Sequence, residues 1–203
     1  MKGFSRTTIV ILVILVLVGF GSCGSYNKMV TKQENVETQW AKVETSYQRR
    51  VDLIPNLVST VKGAANFERE TYEAVVRARQ QVVQVQSEVN EGNLNPENVA
   101  KYQQAQNNLS GAIRGFNLVV ENYPQLRATQ NFSELQAELA GTENRISTAR
   151  NDFNTAAQEY NTYIKRFPQN IFSGLFGFEK KGYFSADAGA EDAPKVDFNN
   201  DTK

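Results

Sequence analysis

At 203 residues the chain has room for a single domain, and its 22 Lys plus Arg against 22 Asp plus Glu give a formal net charge of zero. That balance excludes the broad basic surface of a general nucleic-acid binder. There is no histidine and one cysteine, Cys23, which removes the commonest general base and transition-metal ligand, an intrachain disulfide and a Cys-based zinc cluster.

The chain opens on an apolar segment. Thr7 to Asn27 carries no charge and Ile9 to Val18 is an unbroken run of Ile, Val and Leu, with Lys2 and Arg6 ahead of it. Three readings are open. As a helix, the uncharged stretch spans about 30 Å at about 1.5 Å per residue, the hydrocarbon thickness of a bilayer, and makes residues 1–25 a membrane anchor. The apolar core is also short enough for a cleaved signal. In a third reading Gly21-Ser22-Cys23 ends the run as a lipobox does, making Cys23 a candidate lipidation site, although Phe20 and Gly21 depart from that motif's usual residues. Lys28, Lys32 and Lys42 after the segment nearly balance Lys2 and Arg6, so positive charge does not orient it.

Residues 26–168 read as an all-α body. Apolar residues recur at spacings of three and four in four stripes. The first runs from Tyr26 through Val36, Trp40, Val43 and Tyr47 to Val51. The second takes in Ile54, Val61, Tyr72, Val75, Val82 and Val89. Val99, Tyr102, Leu109, Phe116 and Val120 form the third, interrupted by Gln106. Phe132, Leu135, Leu139, Ile146, Phe153, Tyr160 and Phe167 form the fourth. Each stripe demands partners to bury it, which predicts a bundle.

Punctuation supports the division. Asn95-Pro96 reads as an N-cap with proline at the first helical position. Tyr123-Pro124 and Phe167-Pro168 end helices, and Asn131 with Glu134 resembles a capping box. Pro55 reads as a break near Asp52 to Pro55, because an unbroken helix from Tyr26 to Val89 would reach about 95 Å and leave its stripe partly unpartnered; a kinked long helix is the alternative. Residues 169–184 are Phe- and Gly-rich and are expected to fold back and fill one end of the body, or else to form a sticky surface. Residues 185–203, Ala-, Asp- and Asn-rich, read as a disordered acidic tail.

Several motifs together resemble the LemA family of bacterial membrane proteins: Tyr26-Asn27, Trp40, the run from Arg49 to Val58, Glu68-Arg69-Glu70-Thr71, Ala78-Arg79, Tyr123-Pro124-Gln125-Leu126, Glu143-Asn144-Arg145-Ile146 and Tyr160-Asn161. The resemblance extends from Tyr26 to about Phe184. It implies an N-terminal membrane helix and an up-and-down four-helix bundle, and it implies no defined activity. Cys23 departs from a plain anchor pattern and leaves the side of the membrane open.

Charges fall at or beside inward positions: Glu68 and Arg79 in the second stripe, Glu143 and Arg150 in the fourth, Arg50 and Asp52 around Pro55 and Asn56. Buried charge is costly unless paired, so these residues are expected to form Arg–carboxylate pairs or a polar groove for a partner. Arg50 and Asp52 are expected to satisfy backbone groups freed at the break, with Pro55 and Asn56 restarting the helix. Carboxylate-bridged metal bundles need a Glu-x-x-His element, so no catalytic, cofactor or metal residue is assigned. The expectation is a non-enzymatic scaffold or adaptor at the bacterial cell membrane, partnered by the lipid bilayer and an unidentified envelope protein, without nucleic acid. A membrane-organising homo-oligomer and a Glu/Arg-based hydrolase are the alternatives.

Overall fold

The computed structural model describes the backbone of residues 6–62, 68–89 and 91–186 and the side chains of 24–62, 68–89 and 92–186. Among the described residues every regular element is helical: α1 (Arg6–Lys62), α2 (Arg69–Glu88), a 3-10 turn (Glu91–Asn93), α3 (Pro96–Val120), α4 (Pro124–Arg127), α5 (Gln130–Lys165) and α6 (Gln169–Phe176). The apolar run of residues 9–18 and the candidate lipidation site Cys23 lie on the backbone of α1, outside the described side chains. Among the described residues no helix is long and apolar enough to cross a membrane.

Pro55 does not break the chain. Helix α1 continues through it to Lys62, and α2 begins at Arg69. A proline inside a helix deletes one N–H and costs about 3 kcal/mol. Around it, Ile54, Leu57, Val58 and Val61 are all buried, and burial of such side chains contributes roughly 1.5–3 kcal/mol each. The long stripe has partners at both levels, so the length argument for a break fails.

Helix α1 packs along α5, and α2 along α3. The ion pairs Lys32–Glu159 at 3.1 Å and Arg49–Glu138 show α1 and α5 to be antiparallel. Two core clusters follow. The first gathers Met29, Val36, Trp40, Val43 and Tyr47 of α1 with Val99 and Tyr102 of α3 and Ile146, Phe153 and Tyr160 of α5. The second joins Val51 to Val61 of α1 with Val75 and Val82 of α2, Leu109, Phe116 and Val120 of α3, and Phe132 to Leu139 of α5. On α1 and α5, buried Arg50 and Thr142 fall between the residues of these two clusters.

The caps match the sequence at one helix and shift at another. Asn95 accepts the N–H of Asn98 at 2.9 Å, with Pro96 at the first helical position. At α5 the cap is Thr129, whose Oγ1 accepts the N–H of Phe132, rather than Asn131. The helix starts earlier because Thr129 lies three residues ahead of the first buried residue of the stripe and its hydroxyl meets that residue's N–H.

Residues 178–186 return along the body as an extended strap. Ser185 lies in this strap, and residues 187–203, most of the expected tail, lie outside the described residues. Phe184 is 4% exposed and stacks on Trp40 with centroids 5.9 Å apart and planes 9° from parallel. The strap therefore completes the first cluster.

Candidate functional site

Arg50 stands at the centre of the polar structure. It follows Tyr47 on the buried face of α1, and its side chain is only 4% exposed. Its Nη1 donates to Ser110 Oγ of α3 at 2.9 Å and its Nη2 pairs with Glu143 of α5. The guanidinium carbon lies 5.5 Å from the Tyr47 ring centroid. One side chain thus ties three helices, and the fixed fork of a guanidinium allows it to donate in two directions at once.

A cleft of about 310 Å³ opens between α3 and α5 above this group, lined by Arg50, Ser110, Arg114, Asn117, Gln136 and Glu143 among others. Asn117 and Gln136 bridge α3 and α5 by exchanging hydrogen bonds: Asn117 Nδ2 donates to Gln136 Oε1 at 3.3 Å, and Gln136 Nε2 to Asn117 Oδ1 at 2.9 Å. On the other side of that bridge a second hollow is lined by Glu121, Arg127 and Phe132. The cleft offers hydrogen-bond donors and acceptors of both signs. Among the described residues no group of His, Cys, Asp or Glu is arranged to hold a metal.

The other candidate residues separate. Arg79 reaches across the α1–α2 contact, where its Nε donates to Val51 O at 3.2 Å. This is the carbonyl that Pro55, lacking an N–H, leaves without its helical donor. Arg50 and Asp52 were the residues expected in that role; Arg50 reaches Ser110 and Glu143 instead, and Asp52 is exposed and accepts from Gln48 Nε2 at 2.7 Å. Pro55 and Asn56 are exposed and continue α1 rather than restarting it. Glu68 is exposed ahead of α2 and accepts from Thr71 Oγ1 at 3.2 Å. Glu143 pairs with Arg50, not with Arg150. Arg150 instead donates to Ser185 O at 2.6 Å and lies over the Phe184 ring at 5.2 Å.

Sequence reasoning missed the strap's clamps. Three side-chain amides each hold the N–H and C=O of one strap residue. Asn161 Nδ2 donates to Lys181 O and its Oδ1 accepts Lys181 N–H, both at 2.9 Å. Asn154 does the same for Phe184 at 2.8 and 2.9 Å, and Gln103 for Ser185 at 2.9 and 3.0 Å. The usable signal was the recurrence of amides at 154 and 161, seven residues apart on one helical face. Gly182 brings the strap against α3: its N–H donates to Leu94 O at 2.9 Å, and a Cβ there would lie 2.9 Å from Pro96 Cα. Lys181, buried beside Glu37 at 3.9 Å, has its ammonium pushed below the usual amine range by that burial, which Glu37 partly offsets.

A model of the LemA family matches residues 39–198. The chain belongs to the LemA family. This LemA-family chain is 28% identical over 180 residues to magnetosome protein MamQ 2 of Paramagnetospirillum magneticum, an alignment covering 78% of the chain and 64% of that protein. It is 25% identical over 176 residues to magnetosome protein MamQ of Magnetospirillum gryphiswaldense, with the same coverage. It is 21% identical over 163 residues to protein LemA of Metamycoplasma hominis, covering 80% of the chain and 70% of that protein. The alignments with the magnetosome relatives thus span less than two thirds of their length. The family match takes in Trp40, Arg50, Arg79 and Glu143 together with the whole strap.

Proposed function

We propose that this LemA-family protein is a membrane-tethered, non-enzymatic scaffold of the bacterial envelope whose up-and-down four-helix bundle receives a protein partner in the α3–α5 cleft. The observation that carries the reading is the continuity of α1. The helix that bears the uncharged segment at its start also supplies Trp40, Tyr47 and Arg50 to the core of the folded body. A spanning helix or a lipid on Cys23 would therefore hold the body through one rigid element rather than a flexible linker. Docking suits the cleft because its polar groups are pre-positioned: Arg50 by Ser110 and Glu143, Asn117 by Gln136. Groups already held in place lose little entropy when a partner binds.

Photo-crosslinking in cells from Arg114 and Gln136, at the cleft, compared with Asn151 on a solvated face of α5, tests the reading. A specific protein captured from the cleft positions is the expected result. Capture of nothing specific from any position would sink the scaffold reading.

A further inference from the structure

Among the described residues, the exposed large apolar side chains include a group on α6 and the turn before it. Ile171 is 58% and Leu175 74% exposed, four residues apart and so on one side of α6, and Phe167, 81% exposed, lies in the turn before the helix. The opposite side is bound to the body. Phe172 packs against the first core cluster, and Ser173 Oγ donates to Ile164 O at 3.1 Å. Gly177, at φ +74°, ends the helix in the left-handed conformation that favours glycine and turns the chain into the strap. The three apolar side chains are therefore held outward by a clamped structure and are not the loose face of a frayed end.

The level of this patch is set by Tyr26. Its ring meets Phe176 edge-on at 5.2 Å and Phe178 at 5.6 Å, so α6 sits beside the turn of α1 that carries Tyr26. Thr7 to Tyr26 is uncharged in sequence, and at about 1.5 Å per residue that stretch measures roughly 29 Å, one hydrocarbon thickness. Exposed Lys28, Lys165, Arg166 and Lys180 lie in sequence next to Tyr26 and to either end of α6. That combination of apolar side chains with surrounding cations suits an interface carrying anionic headgroups. Two side chains on an eight-residue helix and one in the turn before it offer far less area than the roughly 1,200 Å² of a stable protein interface, which disfavours a second copy as the occupant.

We infer that α6 is a lipid-surface foot, inserting Phe167, Ile171 and Leu175 at the headgroup–acyl boundary beside the anchor and fixing the tilt of the body on the membrane. This rests on the reading that the N-terminal segment lies in the bilayer. The test is the full chain carrying Leu175→Trp, reconstituted in vesicles of phosphatidylethanolamine and phosphatidylglycerol whose acyl chains are brominated near the headgroup. Flotation reports the anchor separately from the foot. Expected are co-flotation, with the introduced indole blue-shifted and losing more emission to bromine than buried Trp40 does in the wild type. A second variant, Ile171→Ser with Leu175→Ser, should still float and keep its helical circular dichroism while crosslinking between Phe167 and lipid falls. Protein that floats with the introduced indole unquenched overturns the foot and leaves the anchor standing. An indole shielded by contact with another copy, detected by crosslinking between chains, overturns it in favour of self-association. Protein that does not float removes the anchor and the foot together.

Discussion

Arg79 Nε donates to the carbonyl oxygen of Val51 at 3.2 Å, so a side chain on α2 supplies the hydrogen bond that the backbone of α1 lost at Pro55. An acceptor taken out of water without a partner costs about 1–3 kcal/mol. Arg79→Met should therefore destabilise the fold by about 1–2 kcal/mol. In a Pro55→Ala background the restored N–H can serve Val51, and the same substitution should cost less. A double-mutant cycle by urea unfolding measures the coupling, and additive effects would refute it.

The Arg50–Glu143 pair is asymmetric. The Arg50 side chain is 4% exposed and that of Glu143 is 64%. Solvent screens the carboxylate, so Glu143→Gln should cost less than about 1 kcal/mol. Arg50→Ala removes the stem packed by Tyr47 and the bond to Ser110 as well, and should cost about 2–3 kcal/mol. Arg50→Lys should fall between them, because a single ammonium lacks the two-directional fork. Thermal unfolding of the three variants orders them.

The strap should be releasable without unfolding the helices. Asn161→Asp and Asn154→Asp keep an acceptor for the strap N–H but lose the donor to its C=O and introduce charge. Amide exchange at Lys181 and Phe184 should accelerate in the matching variant. The fluorescence of Trp40, the chain's sole tryptophan, should change as Phe184 leaves its face.

Gly182→Ala attacks the same strap by sterics. The added methyl would meet Pro96 Cα and Val99 Cβ, both at 2.9 Å; neither belongs to a flexible side-chain end that could swing away. Overpacking of this kind costs typically about 1–3 kcal/mol, and Phe184→Ala, which empties the space over Trp40, about 3–5 kcal/mol. Calorimetry on both variants checks the ranking.

Alkaline pH should weaken the fold through Tyr160. Burial raises its hydroxyl from 10.0 to about 12, with Glu179 and Glu37 adding to the shift, and Tyr102 is raised chiefly by burial too. Above the lower value the unfolded chain releases a proton that the folded chain retains, so stability falls as pH climbs toward the higher one. Lys181 has the opposite sign. Its amine is depressed by burial, so its contribution rises with pH and is complete once the ordinary value of 10.5 is passed. Tyr160→Phe should flatten the alkaline loss, measured by unfolding across that range, while costing the bond to Glu179 O.

The helical class was legible in the sequence because a period of three to four needs no knowledge of the partner: Trp40, Tyr47, Tyr102, Phe116 and Phe153 are all buried where their stripes place them. The Asn95 cap was legible for the same reason, since its bond reaches only three residues along the chain. Which charge meets which was not. Glu143 finds Arg50 across 93 residues, Arg79 finds Val51 across 28, and Gln103 finds Ser185 across 82. Periodicity determines which face of a helix is buried but not the angle or height at which two faces meet. Local pattern alone therefore determined the helices, the apolar start and the stripes. Packing decided that Pro55 stays inside a helix, because Arg79 could repair the carbonyl it orphaned. It also decided that α6 and the turn before it keep Phe167, Ile171 and Leu175 uncovered, because the strap and Tyr26 hold the helix's other side.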